Sequence, residues 1–345
     1  MSSVTTGEVD RFHRVVDAPR FPDIEEGYLP DNVFLSFYFT PHVTAEHFDE
    51  GADLLVKADI FVPELVAWNE NSLRRYNAVS KGNDKAYSDL KQRAEGQEFG
   101  SYFLALYKAL YRTWKPVFFI DADHTRDDLL IGDFKDTYAK AITSDVETTF
   151  DGIADVAARI AGLSLTRDVI MVENLGVATS KLVRGHPKLS KKEEVEVMIA
   201  LGVSHSAVHN AITTSEDFRD RTRIHHWAGK SVLSAEAKLV DAYKRGAAPT
   251  CADLAEFLVK SALVMIHLPT VQKRKTGVYD ENAIYSRTTA KEDIIGEEMA
   301  SIVLGMGADG LDVCRRIILR SSLTRPEMET LRDAYVEASS RIADN

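Results

Sequence analysis

The stretch VEVMIALGVSH, residues 195–205, decides the fold class, because an almost unbroken apolar run ends in glycine, serine and histidine. Short runs of this kind, rich in Val and Ile, are typical of strands buried on both faces of a parallel sheet. The stretch therefore predicts a central strand. It also raises the question of why a core strand ends in Gly202 and His205.

Three further stretches have the same pattern and predict neighbouring strands. They are VFLSFYF (33–39), DIFVP (59–63) and PVFFID (116–121). Between the first two, residues 44–58 have helical spacing and leave few residues for loops, which indicates a βαβ-like unit. Further helices are expected over about 69–113, 145–161 and 166–183. The predicted fold class is α/β, with a mixed, mostly parallel central sheet flanked by helices.

The two ends of the chain differ from this pattern. Residues 1–30 contain Pro19, Pro22 and Pro30 without a sustained period, which favours a tail or an irregular strap. After residue 213 the periodicity is helical, with capping boxes such as Thr289 with Glu292. We therefore expect three parts: an N-terminal tail or strap (1–30), an α/β domain (31–213) and an all-α C-terminal extension (214–345).

The overall composition excludes several classes of protein. The 345 residues are 45% apolar and 28% charged, as in an ordinary globular protein. The net charge of -11, without a long basic stripe, disfavours a nucleic-acid partner. No apolar segment predicts a leader or a membrane span, so a cytoplasmic protein is expected. Cys251 and Cys314 have no motif spacing and are interpreted as reduced core thiols. Nothing in the sequence indicates an oligomeric state.

Chemically useful residues follow each predicted strand. Thr40, Pro41 and His42 follow the first, Glu64 the second, Asp121 ends the third, and Gly202 to His205 end the last. The carboxyl ends of parallel strands meet at one edge of a sheet, where ligands bind. We therefore expect these side chains to converge. An imidazole beside a carboxylate suits a general base or a metal site.

Several nearby features have more than one interpretation. His209 lies one helical turn after His205, but the glutamate of a HExxH motif is missing, so a structural role is favoured. Asp121, Asp123 and His124 suit either a divalent ion or an acidic turn. His225, His226 and Trp227 are interpreted as an aromatic cluster, although contact with a ligand is an alternative. GMGADG (305–310) follows a helical stretch and lacks the context of a dinucleotide site.

The order of four motifs resembles a known superfamily. FTPH (39–42), DIFVPE (59–64), TRDVIMVENL (166–175) and GVSH (202–205) are similar to motifs of the TraB/PrgY/GumN and Tiki proteins, and more distantly of the erythromycin esterases and ChaN. The last motif fits in full, whereas the first has Phe39 where glycine is expected. The resemblance covers roughly residues 31–213 and does not extend to the helical remainder.

The resemblance implies a site and two kinds of function. It implies that His42, Glu64, His205 and Arg167 carry the chemistry, with Arg167 at a helix start as an oxyanion donor or a clamp on Glu64. If a metal assists, His42, Glu64, His205 and Asp121 would be its ligands, and Mn, Co or Zn would suit them. The favoured function is a hydrolase acting on a peptide, ester or related carbonyl compound, with a small-molecule or peptide substrate. The alternative is a non-enzymatic ligand-binding or regulatory protein.

Overall fold

The structure is a computed structural model. It describes residues 20–25, 27–40, 45–65, 68–95, 100–122, 140, 146–227, 238–239, 242–243, 245–247, 249–250, 253–259, 290–307, 309–310, 312–314, 333–334, 336–338 and 340–341.

The chain divides into two compact units. The sheet unit comprises residues 18–130 and 163–232, and the helical unit comprises 1–17, 131–162 and 233–345. This division differs from the expected one, because residues 131–162 group with the C-terminal residues and residues 214–232 stay with the sheet. Both halves of the predicted site region, before residue 130 and after residue 163, belong to the sheet unit.

The sheet has four parallel strands, which confirms the α/β class. They are β1 (Val33–Phe39), β2 (Ile60–Pro63), β3 (Val195–Leu201) and β4 (Thr222–His226). The strand order is β2-β3-β1-β4, and β1 pairs with β3 over its full length, from Val33 opposite Val195 to Phe39 opposite Leu201. All pairings are parallel rather than mixed. The carboxyl ends of the strands therefore lie at one edge.

Both units contain helices. The described ones are α1 (Asp49–Lys57), α2 (Glu70–Ser80), α3 (Asp84–Ala94), α4 (Gly100–Leu110), α5 (Val146–Gly185), α6 (Ser206–Ile212), α7 (Glu216–Arg219) and α8 (Ala290–Gly305). Short 3-10 turns span Ala45–Phe48, Leu189–Lys191 and Val203–His205.

The two faces of the sheet bury two separate apolar cores. Val197, Ile199 and Leu201 of β3 belong to a core that includes residues of α5, α6 and α7. Met198 and Ala200, on the opposite face, belong to a core that includes residues of α1, α2, α3 and α4. Successive side chains of a strand point to opposite faces, so a strand covered on both sides must be apolar throughout. This requirement explains the nearly continuous apolar run of β3, which only the half-buried Glu196 interrupts.

The predicted strand over 116–121 is reduced to a single bridge, in which Val117 pairs with Phe61. On the side away from β2, the amide side chain of Asn77 of α2 donates to the Val117 carbonyl at 2.8 Å and accepts from the Val117 N–H at 3.0 Å. These two backbone groups face away from β2, because β2 bonds to the Pro116 carbonyl and to the Phe118 N–H, and the Asn77 side chain satisfies them in place of a further strand. The segment still runs beside β2 and delivers Asp121 to the same edge.

Strand β4 corrects the expectation that no strand follows residue 213. It pairs with β1, with Phe39 opposite His226. Arg223 and Ile224 are exposed and the other three residues are only half-buried. An edge strand of this kind carries no buried apolar run, so its sequence, TRIHH, lacks the pattern that identified the central strands.

The two helices predicted over 145–161 and 166–183 form one continuous helix, α5. Gly162, Ser164 and Thr166 resemble a helix boundary in the sequence, but Gly costs a helix only about 1 kcal/mol and none of the three prevents helical backbone. Arg167 therefore lies in the interior of a helix and not at its start. The expectation that Arg167 lies at a helix start is therefore wrong.

The helical unit has a core of its own. Its buried side chains include Ala157, Leu254, Leu258 and Val303. Cys314 is a buried free thiol, as expected, and burial raises its pKa to about 12. Cys251 lies outside the described residues. In the described part of the chain, no helix combines the length and the hydropathy that crossing a membrane requires.

Candidate functional site

Polar residues converge at the carboxyl edge of the sheet. Glu64 directly follows β2, and its N–H donates to the Ala200 carbonyl at 2.8 Å, which holds it beside the end of β3. Asp121 follows the segment that runs beside β2, and its own carbonyl accepts a hydrogen bond of 2.6 Å from the Trp68 indole. The backbones of Glu64 and Asp121 are thus fixed by hydrogen bonds that do not involve their carboxylates.

Arg167 joins these two carboxylates. Its Nε and Nη2 donate to Asp121 Oδ1 and Oδ2 at 3.0 and 2.6 Å, and Nη2 also lies 2.9 Å from Glu64 Oε1. Burial opposes a charged guanidinium, but the bonds to Asp121 and Glu64 outweigh that effect and hold the pKa of Arg167 above its usual range. The paired geometry on Asp121 requires the planar fork of arginine.

His205 lies between two further contacts. Its Nε2 is 3.2 Å from Glu64 Oε1, and its Nδ1 is hydrogen-bonded to Asp168 Oδ1. Burial favours the neutral imidazole, but the adjacent Glu64 and Asp168 carboxylates outweigh it and raise the pKa of His205 from 6.5 to about 9. At neutral pH the ring is therefore an imidazolium that donates to both carboxylates.

Gly202 answers the question raised by the end of β3. Its N–H donates to Glu64 Oε2 at 2.6 Å, and a Cβ at this position would lie only 3.2 Å from the same oxygen. The close approach of the backbone to the carboxylate, and not an unusual backbone angle, explains the glycine. Three residues later, the 3-10 turn brings His205 back toward Glu64.

We call the five side chains of Glu64, Asp121, Arg167, Asp168 and His205 the carboxyl-edge network. Four of them were predicted from the sequence, and the structure brings these four together. His42, the fifth predicted residue, lies outside the described residues, as do Asp123 and His124. The network contains three carboxylates and two cations, and it draws on β2, β3, α5 and the segment after residue 116.

Asp168 is the network residue that the sequence reasoning missed. It is fully buried, with 0% of its surface exposed, and it holds His205 in place. The TRD triplet contained the signal, but the sequence analysis assigned only Arg167 to the site. Successive helical residues point in directions about 100° apart. In the structure the two neighbours diverge, with Arg167 reaching Glu64 and Asp121 while Asp168 reaches His205.

The described residues that were expected to ligate a divalent ion have protein partners at their donor atoms. Both ring nitrogens of His205 are engaged by carboxylates. The guanidinium of Arg167 occupies the position between Glu64 and Asp121 where a cation would bind. Within the described ranges, no group of three or more His, Cys, Asp or Glu side chains is placed to hold a metal. The metal-assisted alternative stays a prediction.

A cluster of aromatic rings and imidazoles lies on the β4 side of the same edge. His209 packs edge-on against Phe37, and His226 stacks on Phe39. Burial lowers the pKa of His209, and its Nδ1 contacts Asn210. Of the described histidines on α6 and β4, none joins the carboxyl-edge network. This packing agrees with the structural interpretation of His209 and with the aromatic interpretation of His226, while Trp227 packs edge-on against His47.

Comparisons of the chain with protein-family models, curated proteins and solved structures find no match. The resemblance to the TraB/PrgY/GumN and Tiki proteins therefore stays a prediction that rests on the four motifs.

Proposed function

We propose that the carboxyl-edge network is a hydrolytic site for an ester, a peptide or a related carbonyl substrate. The observation that supports it best is the position of His205 between a fully buried carboxylate, Asp168, and a partly exposed one, Glu64. A buried acid that orients an imidazole, whose other nitrogen meets a second proton-carrying group, is a recurrent arrangement in general acid–base catalysis.

Glu64 is the group that would exchange protons with the reactants. Its side chain is 13% exposed, whereas that of His205 is 2% exposed. The Glu64 carboxylate accepts a proton from water as the water oxygen attacks the carbonyl carbon, and it then gives that proton to the departing oxygen or nitrogen. The imidazolium of His205, held by Asp168, orients Glu64 between turnovers.

Arg167 would stabilise the negative charge that develops on the carbonyl oxygen. Its hydrogen bonds to described residues use Nε and Nη2, and Nη1 makes none with them. The side chain is 16% exposed, so a substrate oxygen can reach it. A cation that is already fixed by two carboxylates needs no reorganisation when charge develops.

The alternative is a protein of the same fold that binds a ligand without transforming it. The observation that favours it is the mutual pairing within the carboxyl-edge network. Each of the three carboxylates of this network bonds to Arg167, to His205 or to a backbone N–H. In this alternative, the cluster joins β2, β3 and α5 and has no further role. In that case the charged residues contribute to stability and not to turnover.

Hydrolysis by the purified protein separates the two functions. We expect the wild type to cleave at least one compound of a panel of esters and peptides. The cleavage should be measured before and after exhaustive chelation. Glu64→Gln and His205→Gln should each reduce the rate by about a hundredfold or more, as general acid–base groups do. Glu173→Gln, on an exposed position of α5, and His209→Gln should retain it. A wild type without hydrolysis on the whole panel would favour the ligand-binding alternative.

A further inference from the structure

The opposite, amino edge of the sheet contains a separate cavity. Its volume is about 280 Å³. The residues that line it are Ala58, Asp59, Thr113, Trp114, Lys115, Pro116, His186, Lys188, Leu189 and Lys192. Asp59 directly precedes β2 and Lys192 lies shortly before β3. The cavity is therefore separated from the carboxyl-edge network by the length of the strands, and it takes no part in the hydrolysis proposed above.

Positive charge predominates in this cavity, although the chain as a whole is acidic. Lys115, Lys188 and Lys192 line it with one carboxylate, that of Asp59. Asp59 Oδ2 already lies 2.5 Å from Lys192 Nζ and accepts the Glu196 N–H at 2.9 Å. Lys188 forms no ion pair with any described residue. The described lining residues thus carry an excess of two positive charges, which attracts an anion.

Lys115 is held in this position by backbone carbonyls. Its ammonium donates to the Val56 carbonyl at 3.0 Å and also to the Ala58 carbonyl, at the end of α1. Burial lowers its pKa, and the charge of nearby Lys192 lowers it further, against the opposing effect of Asp59. Two ammonium groups held close together repel each other, and an anion between them would relieve that repulsion.

Trp114 presents an indole at the same cavity. The side chain is 72% exposed, and its backbone has a φ of 59°, in the left-handed region that bulky residues rarely adopt. The Trp114 N–H donates to the Ser80 carbonyl at 2.9 Å, and the Ser80 hydroxyl donates to the Lys115 carbonyl at 2.6 Å. The turn therefore holds a large apolar ring in water, in a strained conformation. Strain of this kind clusters at ligand sites.

His186 adds an unsatisfied polar atom. Its Nδ1 is buried and has no hydrogen-bond partner among the described residues, although the residue lines the cavity. A buried polar atom without a partner costs free energy. The lysine charges, the Trp114 ring and His186, with its unsatisfied nitrogen, thus all lie around one small cavity.

We propose that this cavity binds a small aromatic compound bearing one anionic group, a phosphate or a carboxylate. The ring lies against Trp114, and the anionic group is held among Lys115, Lys188 and Lys192. The volume is close to the lower end of small-molecule sites, about 300 Å³, and it therefore fits a single ring better than a nucleotide or a peptide.

Titration calorimetry on the full-length chain tests this proposal with defined probes. Phenyl phosphate and benzoate distinguish the two anionic groups, while phenol and inorganic phosphate each lack one half of the ligand. We expect saturable binding of at least one of the first two compounds, and binding at least about tenfold weaker for phenol and for inorganic phosphate. The three tryptophans all belong to the sheet unit, so quenching of fluorescence gives a second measurement.

Two variants connect the binding to the named residues. Trp114→Ala should weaken the aromatic anion about tenfold and leave inorganic phosphate unchanged, because only the ring contact is lost. Lys188→Gln should weaken the binding of the aromatic anion and of inorganic phosphate about tenfold each. Lys181→Gln, an exposed lysine of α5 away from the cavity, should bind as the wild type does. Lys188 is exposed and forms no described ion pair, so its substitution leaves the fold intact.

Three results would overturn the proposal. The first is the absence of saturable binding for both aromatic anions. The second is unchanged affinity in both Trp114→Ala and Lys188→Gln. The third is inorganic phosphate binding as tightly as phenyl phosphate, which would remove the role of the indole. Loss of hydrolysis in variants of the carboxyl-edge network has no bearing on any of the three.

Discussion

The charge on His205 should make the stability of the sheet unit depend on pH. The folded pKa of about 9 exceeds the ordinary value of 6.5, so the folded protein keeps a proton that the unfolded chain releases between these two values. The stabilisation is complete below the unfolded pKa of 6.5. It is lost as the pH rises through about 9.

The size of the effect follows from the difference between the two pKa values. Each pKa unit corresponds to about 1.4 kcal/mol, so a difference of roughly 2.5 units corresponds to a loss of about 3 kcal/mol in the free energy of unfolding. The site is buried, so solvent does not screen this interaction as it would a surface pair.

Denaturant unfolding at a series of pH values measures this loss. Trp68, Trp114 and Trp227 all belong to the sheet unit, so tryptophan fluorescence reports its unfolding. The reference is the double variant Asp168→Asn/His205→Gln, which replaces the charged pair by two amides and leaves no unpaired buried carboxylate at position 168. From about pH 6 to about pH 9.5 the wild type should lose about 3 kcal/mol relative to this variant.

His209→Gln serves as the matched control, because the pKa of His209 is lowered and not raised. It should show the same loss as the wild type. If the wild type and the double variant respond to pH in parallel across this range, His205 is not held as an imidazolium and the electrostatic account of the network is wrong.

Three further substitutions test individual contacts. Asp168→Asn should lower the pKa of His205, and NMR of the labelled imidazole should show titration at least about one unit lower than in the wild type. Gly202→Ala should displace the Glu64 carboxylate by a few tenths of an ångström and cost about 1–3 kcal/mol in chemical unfolding, whereas an unchanged stability would remove the close-approach argument. Arg167→Lys should reduce hydrolysis about a hundredfold, because an ammonium cannot reproduce the forked contact, and a steady-state assay at saturating substrate would detect a failure of this expectation.

The central strands could be predicted because their environment is uniform. β1 and β3 are covered on both faces, so their apolar runs began and ended within a residue of the observed strands. β4 could not be predicted in the same way, since its exposed edge imposes no apolar pattern. The segment 116–121 has the apolar pattern of a strand but pairs with β2 only at Val117, and the Asn77 side chain that bonds its other side is forty residues away in the sequence.

The candidate site was predicted in part for a related reason. The carboxyl ends of parallel strands meet whatever their order, so Glu64, Asp121 and His205 could be expected at one edge. The pairing of Asp168 with His205 depends on the rotation of α5 about its axis, which the strand pattern does not contain. The protonation of His205 follows from that pairing, and the sequence instead suggested a neutral imidazole acting as a base or a metal ligand.

The pH dependence of hydrolysis tests the central claim most directly. With a substrate found on the panel, kcat/KM should fall as the pH rises through about 9, because the imidazolium of His205 then loses its proton. The decline should be absent from the residual activity of His205→Gln. A rate that instead rises with pH through about 6.5, and remains high above it, would show that a neutral imidazole acts as the base and would contradict the account.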